Sequence, residues 1–204
     1  TDGNNASNYS DLMRATYLVA GLFKDARIDP QMFPAEKAYE MATLGGARTI
    51  DLRHLFATRS MAVVGASARS WIAETVRANL ATMGSATRCH FVNPKYYELH
   101  GQPCYPDLAA LPERPDIVLV ALNPLRAARV TREAAAAGVP AVIIPGGGVV
   151  EGGAAAAAMQ SEVAAIARGH GLALVGPNCM GVVDFTTNSA AYIGDISPYL
   201  PRGG

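Results

Sequence analysis

Met61-Ala62-Val63-Val64-Gly65-Ala66-Ser67 is the stretch whose reading decides the fold. A short apolar run of β-formers ends in a glycine and small residues, and a helix-competent segment follows from Ser70. That is the sequence form of a strand, a tight turn and a helix N-terminus. The first N–H groups of a helix have no partner within it and carry partial positive charge, so such a turn attracts phosphate. The same Gly-Ala-Ser also serves plain βα turns, and the residues around it have to separate the two readings.

Outward from this turn the chain alternates. Strands are predicted over 61–64, 89–92, 117–122, 141–144 and 172–175, short and mostly apolar runs without polar alternation, as strands covered on both faces require. Helices are predicted between them over 71–83, 125–137 and 154–170, with a short helical turn near 108–111. Spacing of this kind means βαβ crossovers and a doubly wound parallel sheet with helices on both faces, an α/β fold. The alanine runs 134–137 and 154–158 fall inside these helices, where alanine is the best former and packs closely on a sheet.

Residues 1–50 read as a helical appendage. Asp11 can cap an amphipathic helix running to Lys24, with Leu12, Ala15, Leu18, Val19 and Leu22 on its apolar face. Pro34 opens a second helix and Gly45-Gly46 ends it.

The composition narrows the function classes. Half of the 204 residues are hydrophobic, and 17 Lys+Arg balance 17 Asp+Glu. A neutral chain has no electrostatic footprint for nucleic acid or an acidic membrane, so neither partner is expected. No apolar run approaches the roughly 20 residues that span a bilayer. The three cysteines, Cys89, Cys104 and Cys179, lie far apart and form no Cys-x-x-Cys. A reducing, cytoplasmic setting is expected, with no zinc site or disulfide framework.

In open parallel sheets ligands bind beyond the C-terminal ends of the strands. The residues that follow the five predicted strands are therefore the candidate site. They are Gly65, Ala66 and Ser67; Asn93, Pro94 and Lys95; Asn123 and Pro124; Pro145, Gly146, Gly147 and Gly148; and Gly176-Pro177-Asn178-Cys179-Met180-Gly181. Small, rigid and amide residues with one lysine suit an extended, phosphate-bearing ligand better than acid–base chemistry. The turn lacks the second and third glycines of the dinucleotide fingerprint, and the second strand ends in Asn-Pro-Lys rather than an acid for a ribose diol. A cation there favours a ligand with an extra phosphate near its ribose. Coenzyme A, with a 3′-phosphate, and NADP, with a 2′-phosphate, both meet that condition.

Five ordered motifs carry a resemblance: 61–67; Val92-Asn93-Pro94-Lys95; Gly101 with Cys104-Tyr105-Pro106; Pro115-Asp116; and Gly176-Pro177-Asn178-Cys179-Met180-Gly181. Together they resemble the CoA-binding domain of NDP-forming acyl-CoA synthetases, relatives of the succinyl-CoA synthetase alpha subunit. The resemblance implies a Rossmann-like domain over 52–188, a linker over 189–204, and coenzyme A as the bound cofactor. It implies that Gly65, Ala66 and Ser67 cup a phosphate and that Lys95, beside Asn93 and Pro94, supplies charge to the nucleotide. Asn123 and Pro124 would lie along the adenosine and pantetheine, with Gly146, Gly147 and Asn178 near the thiol end. The intact enzymes form acyl-CoA from a carboxylic acid, CoA and ATP through a phosphohistidine and an ATP-grasp domain. Neither is expected here, so the chain should bind CoA without turnover.

Departures are visible as well. Arg69-Ser70-Trp71 replaces a glycine-rich continuation, with Trp71 expected to pack, and Pro145-Gly146-Gly147-Gly148 replaces a Ser-Ala-Gly-Phe type of turn. His54, His90, His100 and His170 are expected to be ordinary structural histidines, and Cys179 a turn residue rather than a nucleophile. The first 50 residues, from Asp2 through Met41-Ala42-Thr43-Leu44-Gly45-Gly46-Ala47-Arg48, resemble the last part of an amidohydrolase barrel. Without paired histidines Asp2 is assigned no metal, and no catalytic residue is expected. A stand-alone CoA-binding regulatory module and an NADP-dependent oxidoreductase are the competing readings.

Overall fold

A computed structural model describes residues 53–146 and 149–198. The helical appendage predicted for residues 1–50 lies outside the described residues, as does the end of the predicted linker. The described chain runs α1 (Arg53–Phe56), β1 (Ser60–Val64), α2 (Trp71–Thr82), β2 (Arg88–Val92), β3 (Glu98–Leu99), β4 (Gln102–Tyr105) and β5 (Ile117–Val120). A 3-10 turn (Pro124–Arg126) leads into α3 (Ala127–Ala136), then β6 (Ala141–Ile143), α4 (Val149–His170), β7 (Ala173–Val175), β8 (Gly181–Asp184) and β9 (Ser189–Tyr192). Helix α4 is broken at Gly153, where φ is 55° and ψ −142°, so its continuous part is 154–170.

Seven strands form one sheet in the order β3-β4-β2-β1-β5-β6-β7. Every pairing in it is parallel except β3 with β4. From β1 the chain moves outward to β2 on one side and later restarts at β5 on the other. The reversal makes the β1/β5 boundary the switch point, where a crevice opens at the strand tips. Val64 is level with Val92 and with Val120, so the turns after β1, β2 and β5 leave the sheet side by side.

Right-handed crossovers on opposite sides of a switch point put their helices on opposite faces. One face buries Ala62, Val64, Val118, Val120 and Val142 under Val130 and Ala134 of α3 and Met159 and Val163 of α4. By the alternation of the pleat, Met61, Val63, Phe91, Ile117 and Leu119 point to the other face and are fully buried there. Helix α2 buries Ala73, Val76 and Leu80. Ser70 starts α2 by accepting a hydrogen bond from the Ala73 N–H at 3.4 Å.

Three expectations are corrected in detail. Residues 108–111 form no helix; the Leu111 N–H reaches Leu108 O at 3.4 Å and the Ala110 N–H reaches the Asp107 carboxylate at 2.9 Å, which closes a turn. Strand β5 stops at Val120, because Leu122 turns over Gly65 and Asn123 already caps the 3-10 turn by accepting from the Leu125 N–H at 3.0 Å. Residues 189–196 do not leave the domain as a linker. Ser189–Tyr192 pairs antiparallel with Gly181–Asp184, and Ser189, Ala190, Ala191, Ile193 and Ile196 are buried. Asn79 of α2, itself buried, donates to Tyr192 O at 3.0 Å and Gly194 O at 2.8 Å and accepts from the Ile196 N–H at 3.0 Å. One amide thereby fastens the hairpin to the sheet's helix.

The start of the sheet has its own fastening. The Asp116 carboxylate, just before β5, accepts from the Arg59 and Ser60 N–H groups at 2.9 and 3.2 Å and meets the His54 ring at 2.8 Å. Burial raises its pKa, but the Arg59 N–H, the His54 ring and the Ser60 N–H outweigh burial and hold the carboxyl below its ordinary value. The Pro115-Asp116 motif is thus a clamp between β1 and β5 at the edge opposite the ligand crevice.

Candidate functional site: the crevice at the strand tips

Gly65 turns the chain out of β1 with φ at 91°, which L side chains rarely adopt. Its N–H still reaches Val92 O at 2.8 Å, and a Cβ on it would overlap Leu122 Cγ and stand 2.5 Å from Leu122 Cδ2. The turn is therefore pressed against the neck after β5, and only glycine fits. Ala66 is fully buried. The N–H groups of Ala66, Ser67 and Ala68 have no acceptor among the described residues, and of the three residues Ser67 lines the cavity, where its N–H can serve an anion.

Asn93 couples this turn to the next. Its Nδ2 donates to Ala66 O at 2.7 Å, and its Oδ1 accepts from the Lys95 N–H at 3.0 Å. Both ends of the amide are engaged by the chain, which makes Asn93 a residue that positions the two turns. Pro94 and Lys95 are exposed beyond it.

A cavity of about 460 Å³ occupies the crevice, within the range of small-molecule sites. Gly65, Ser67, Asn93, Pro94 and Lys95 line it, joined by Val64, Val92, Tyr96, Pro106, Leu108 and Leu122 as an apolar wall. Sequence reasoning missed the charged lining, namely Asp107, Arg126, Arg129 and Glu133. Arg126 stands two residues after Pro124, so a basic residue shortly past a strand tip is the available signal. Arg129 and Glu133 form an ion pair one helical turn apart. Among the described residues neither Lys95 nor Arg126 is in an ion pair.

The remaining predicted residues gather on adjoining tips. Asn123 caps the 3-10 turn that carries Arg126. A Cβ on Gly146 would meet Pro124 Cγ at 2.9 Å, and the Asn178 N–H donates to Gly146 O at 3.1 Å from a backbone with φ at 66°. Pro124, Gly146 and Asn178 thus form one contiguous patch beyond β5, β6 and β7, and none of them lines the 460 Å³ cavity. Gly147 lies outside the described residues. The peptide bond Gly176-Pro177 is cis, and the Cys179 thiol donates to Ile144 O at 3.4 Å, which is the behaviour of a turn residue.

The titratable groups with perturbed pKa values lie elsewhere. Arg88 holds Glu113 in a two-pronged pair at 2.5 and 2.7 Å and His90 adds a contact at 3.0 Å, which together lower the Glu113 carboxyl to about 2. Burial pushes the Cys89 thiol up to about 12. His54 meets Asp116, His90 meets Glu113 and His100 stands 3.4 Å from Glu74. His170 closes α4 on Ile166 O at 3.0 Å. None of the four histidines lines the cavity. Among the described residues no group of three or more His, Cys, Asp or Glu could hold a metal ion, and no helix is long and apolar enough to cross a membrane.

Residues 59–184, well over half the chain, match the family described as the CoA binding domain. The chain belongs to that family. This CoA-binding domain is 28% identical over 152 residues to an ADP-forming acetate–CoA ligase of Archaeoglobus fulgidus, covering 74% of this chain and 22% of the ligase. It is 35% identical over 136 residues to a trans-feruloyl-CoA synthase from an unknown prokaryotic organism, covering 66% of this chain and 19% of the synthase. Among solved structures it resembles the dinucleotide-forming acetyl-coenzyme A synthetase 1 of Ca. Korarchaeum cryptofilum, solved with phosphate and ADP. That likeness has a TM-score of 0.64 at 27% identity and covers 71% of this chain and 31% of the other. The chain spans about a fifth of the length of the curated relatives it matches.

Coenzyme A is accordingly the molecule this domain binds. The crevice fits it in kind. The Ser67 N–H and the cations Lys95 and Arg126, all in the cavity lining, suit its phosphates, and the apolar wall suits its adenosine. When bound, CoA supplies a thiol for acyl transfer.

Proposed function

We propose that this chain is the CoA-holding part of an ADP-forming acyl-CoA synthetase. The whole enzyme would join a carboxylic acid to CoA with ATP, giving acyl-CoA, ADP and phosphate. The observation that carries this is the pairing, in one cavity, of the glycine turn after β1 with the lysine after β2. The turn offers backbone donors to a phosphate without a dinucleotide's three glycines. Lys95 is a compact point charge suited to a terminal phosphate, and Asn93 holds turn and lysine in fixed relation. The patch of Pro124, Gly146 and Asn178 continues from the cavity along the strand tips and would carry the pantetheine arm toward the acyl substrate.

In this reading the described residues of the cavity bind and orient CoA. Every histidine is committed elsewhere, and the cavity's one glutamate is tied to Arg129. The reading assigns turnover to a ligase domain and an ATP-grasp domain of the whole enzyme. Two assays on the 204-residue chain test the proposal. Titration calorimetry should show CoA binding, and an ATP-dependent acyl-CoA formation assay should show no product. Absence of CoA binding would overturn the site, and product formation would overturn its division of labour.

A further inference from the structure

We propose that the uncovered first half of β2 is a docking site for an extended acidic segment of a partner polypeptide, which adds to the sheet as a short strand. A second cavity, of about 560 Å³, lies against this half of β2, bounded by the last turns of α2 and by β4. It shares no lining residue with the crevice at the strand tips. Strand β4 pairs with β2 only at Phe91 and Val92. His100, with φ at 53°, and Gly101, with φ at 75°, turn the chain between β3 and β4, so β4 begins only at Gln102. No described strand therefore runs beside Arg88–His90, where Arg88 is exposed and Cys89 and His90 are half-buried.

The edge left open has hydrogen bonds to offer. Alternate residues of a strand aim their peptide groups at opposite neighbours. The Arg88 N–H donates to Arg59 O at 2.9 Å on the β1 side, and the Asn93 N–H donates to Tyr105 O at 2.8 Å on the β4 side. Cys89 has the orientation of Asn93, so its N–H and C=O face away from β1. The next ladder bond would run from residue 103 to Cys89 O, and Pro103 has no N–H to give. Neither group of Cys89 has a backbone partner on that side among the described residues. A peptide backbone matches both groups, whereas a small anion leaves the carbonyl unmet.

Charge selects the segment. Arg77, Arg88 and His90 line this cavity and no carboxylate does. Glu74 takes Nε and Nη2 of Arg77, and Glu113 takes those of Arg88 together with Nε2 of His90. Nη1 of each arginine keeps no hydrogen bond among the described residues. A charged edge deters neutral and basic strands, while carboxylates on alternate residues of an incoming strand can meet the two Nη1 groups. The open edge of three residues is about 10 Å long, so a short segment fills it.

The test titrates the 204-residue chain with three fluorophore-labelled peptides. They are Val-Glu-Val-Glu-Val, the same peptide with lysine for each glutamate, and the glutamate peptide N-methylated at every residue. The glutamate peptide should bind saturably by fluorescence anisotropy and slow hydrogen exchange at the Cys89 amide. Loss of charge-assisted contacts or of the backbone bonds should make the other two about 10-fold weaker or worse. Ala81→Glu adds a carboxylate at an exposed lining position on α2. It should weaken the glutamate peptide about 10-fold and leave CoA affinity unchanged by calorimetry, which also confirms that the variant is folded. Equal binding of the glutamate and lysine peptides, or unaltered exchange at Cys89, would overturn the proposal. An N-methylated peptide that binds like its parent would make the cavity a small-anion site and overturn the added strand. A chain that binds CoA but not the glutamate peptide overturns this proposal alone.

Discussion

Replacing Gly65 by alanine tests the site's geometry most severely, because two separable effects act there. The first is backbone strain, since φ at Gly65 is 91°. The second is contact, since the new Cβ would overlap Leu122 Cγ and lie 2.5 Å from Leu122 Cδ2 and 3.1 Å from the Ala121 carbonyl carbon. A branch-point carbon and the neighbouring backbone cannot both withdraw cheaply. Gly84 separates the two effects. Its φ is 60°, and nothing lies within 4 Å of where its Cβ would stand, so Gly84→Ala carries strain and the unfolded-chain effect alone. Overpacking costs about 1–3 kcal/mol, which is the expected excess of Gly65→Ala over Gly84→Ala. For a chain of this size that is a further fall in Tm of about 2–12 °C. Leu122 lines the cavity, so Gly65→Ala should also weaken CoA binding while Gly84→Ala does not. Urea unfolding and calorimetry of the two variants supply the numbers. Equal destabilisation, with CoA affinity intact in both, would refute the claim that the β1 turn is pressed against the neck of β5.

Three further outcomes follow from the same contacts. The depressed native pKa of Asp116 stabilises the fold above its ordinary value of 3.8 and loses that contribution as pH falls through the native value; Asp116→Asn should flatten the acid limb of a stability–pH curve below about pH 4 and cost stability at neutral pH. Asn79→Ala removes three hydrogen bonds to residues 192–196; it should cost about 2–4 kcal/mol and raise hydrogen exchange across Ser189–Tyr192 before the rest of the sheet, and uniform exchange would contradict the fastening role. Glu133→Gln releases Arg129 into the cavity, so CoA affinity measured at low salt should rise, and a fall would contradict the charge arrangement.

The central sheet was legible because its strands are covered on both faces and so read as unbroken apolar runs. Ile117–Val120 and Ala141–Ile143 are buried at every position, and such runs between helical segments admit few other folds. The edge elements were not legible. Glu98–Leu99 and Gln102–Tyr105 are short and half exposed, and their pairing depends on the edge that β2 offers to β4. Strand β9 reads as the start of a departing linker, since the anchor of residues 192–196 is the amide of Asn79, more than a hundred residues away in sequence. Gly65, Ser67, Asn93, Pro94 and Lys95 follow strands in the sequence, and in the structure they line one cavity. Pro124, Gly146 and Asn178 share a neighbouring patch instead. Arg126, Arg129 and Glu133 escaped notice because a helix face acquires a direction only when α3 is seated on the sheet.

The central claim is that this crevice recognises CoA through its extra ribose phosphate. Calorimetric titration of the 204-residue chain with CoA, dephospho-CoA and NADP, repeated on Lys95→Ala, tests it most directly. The account predicts that CoA binds tightest, that dephospho-CoA binds more weakly, and that Lys95→Ala makes those two equal. NADP binding tighter than CoA, or a CoA preference that survives loss of Lys95, would contradict it.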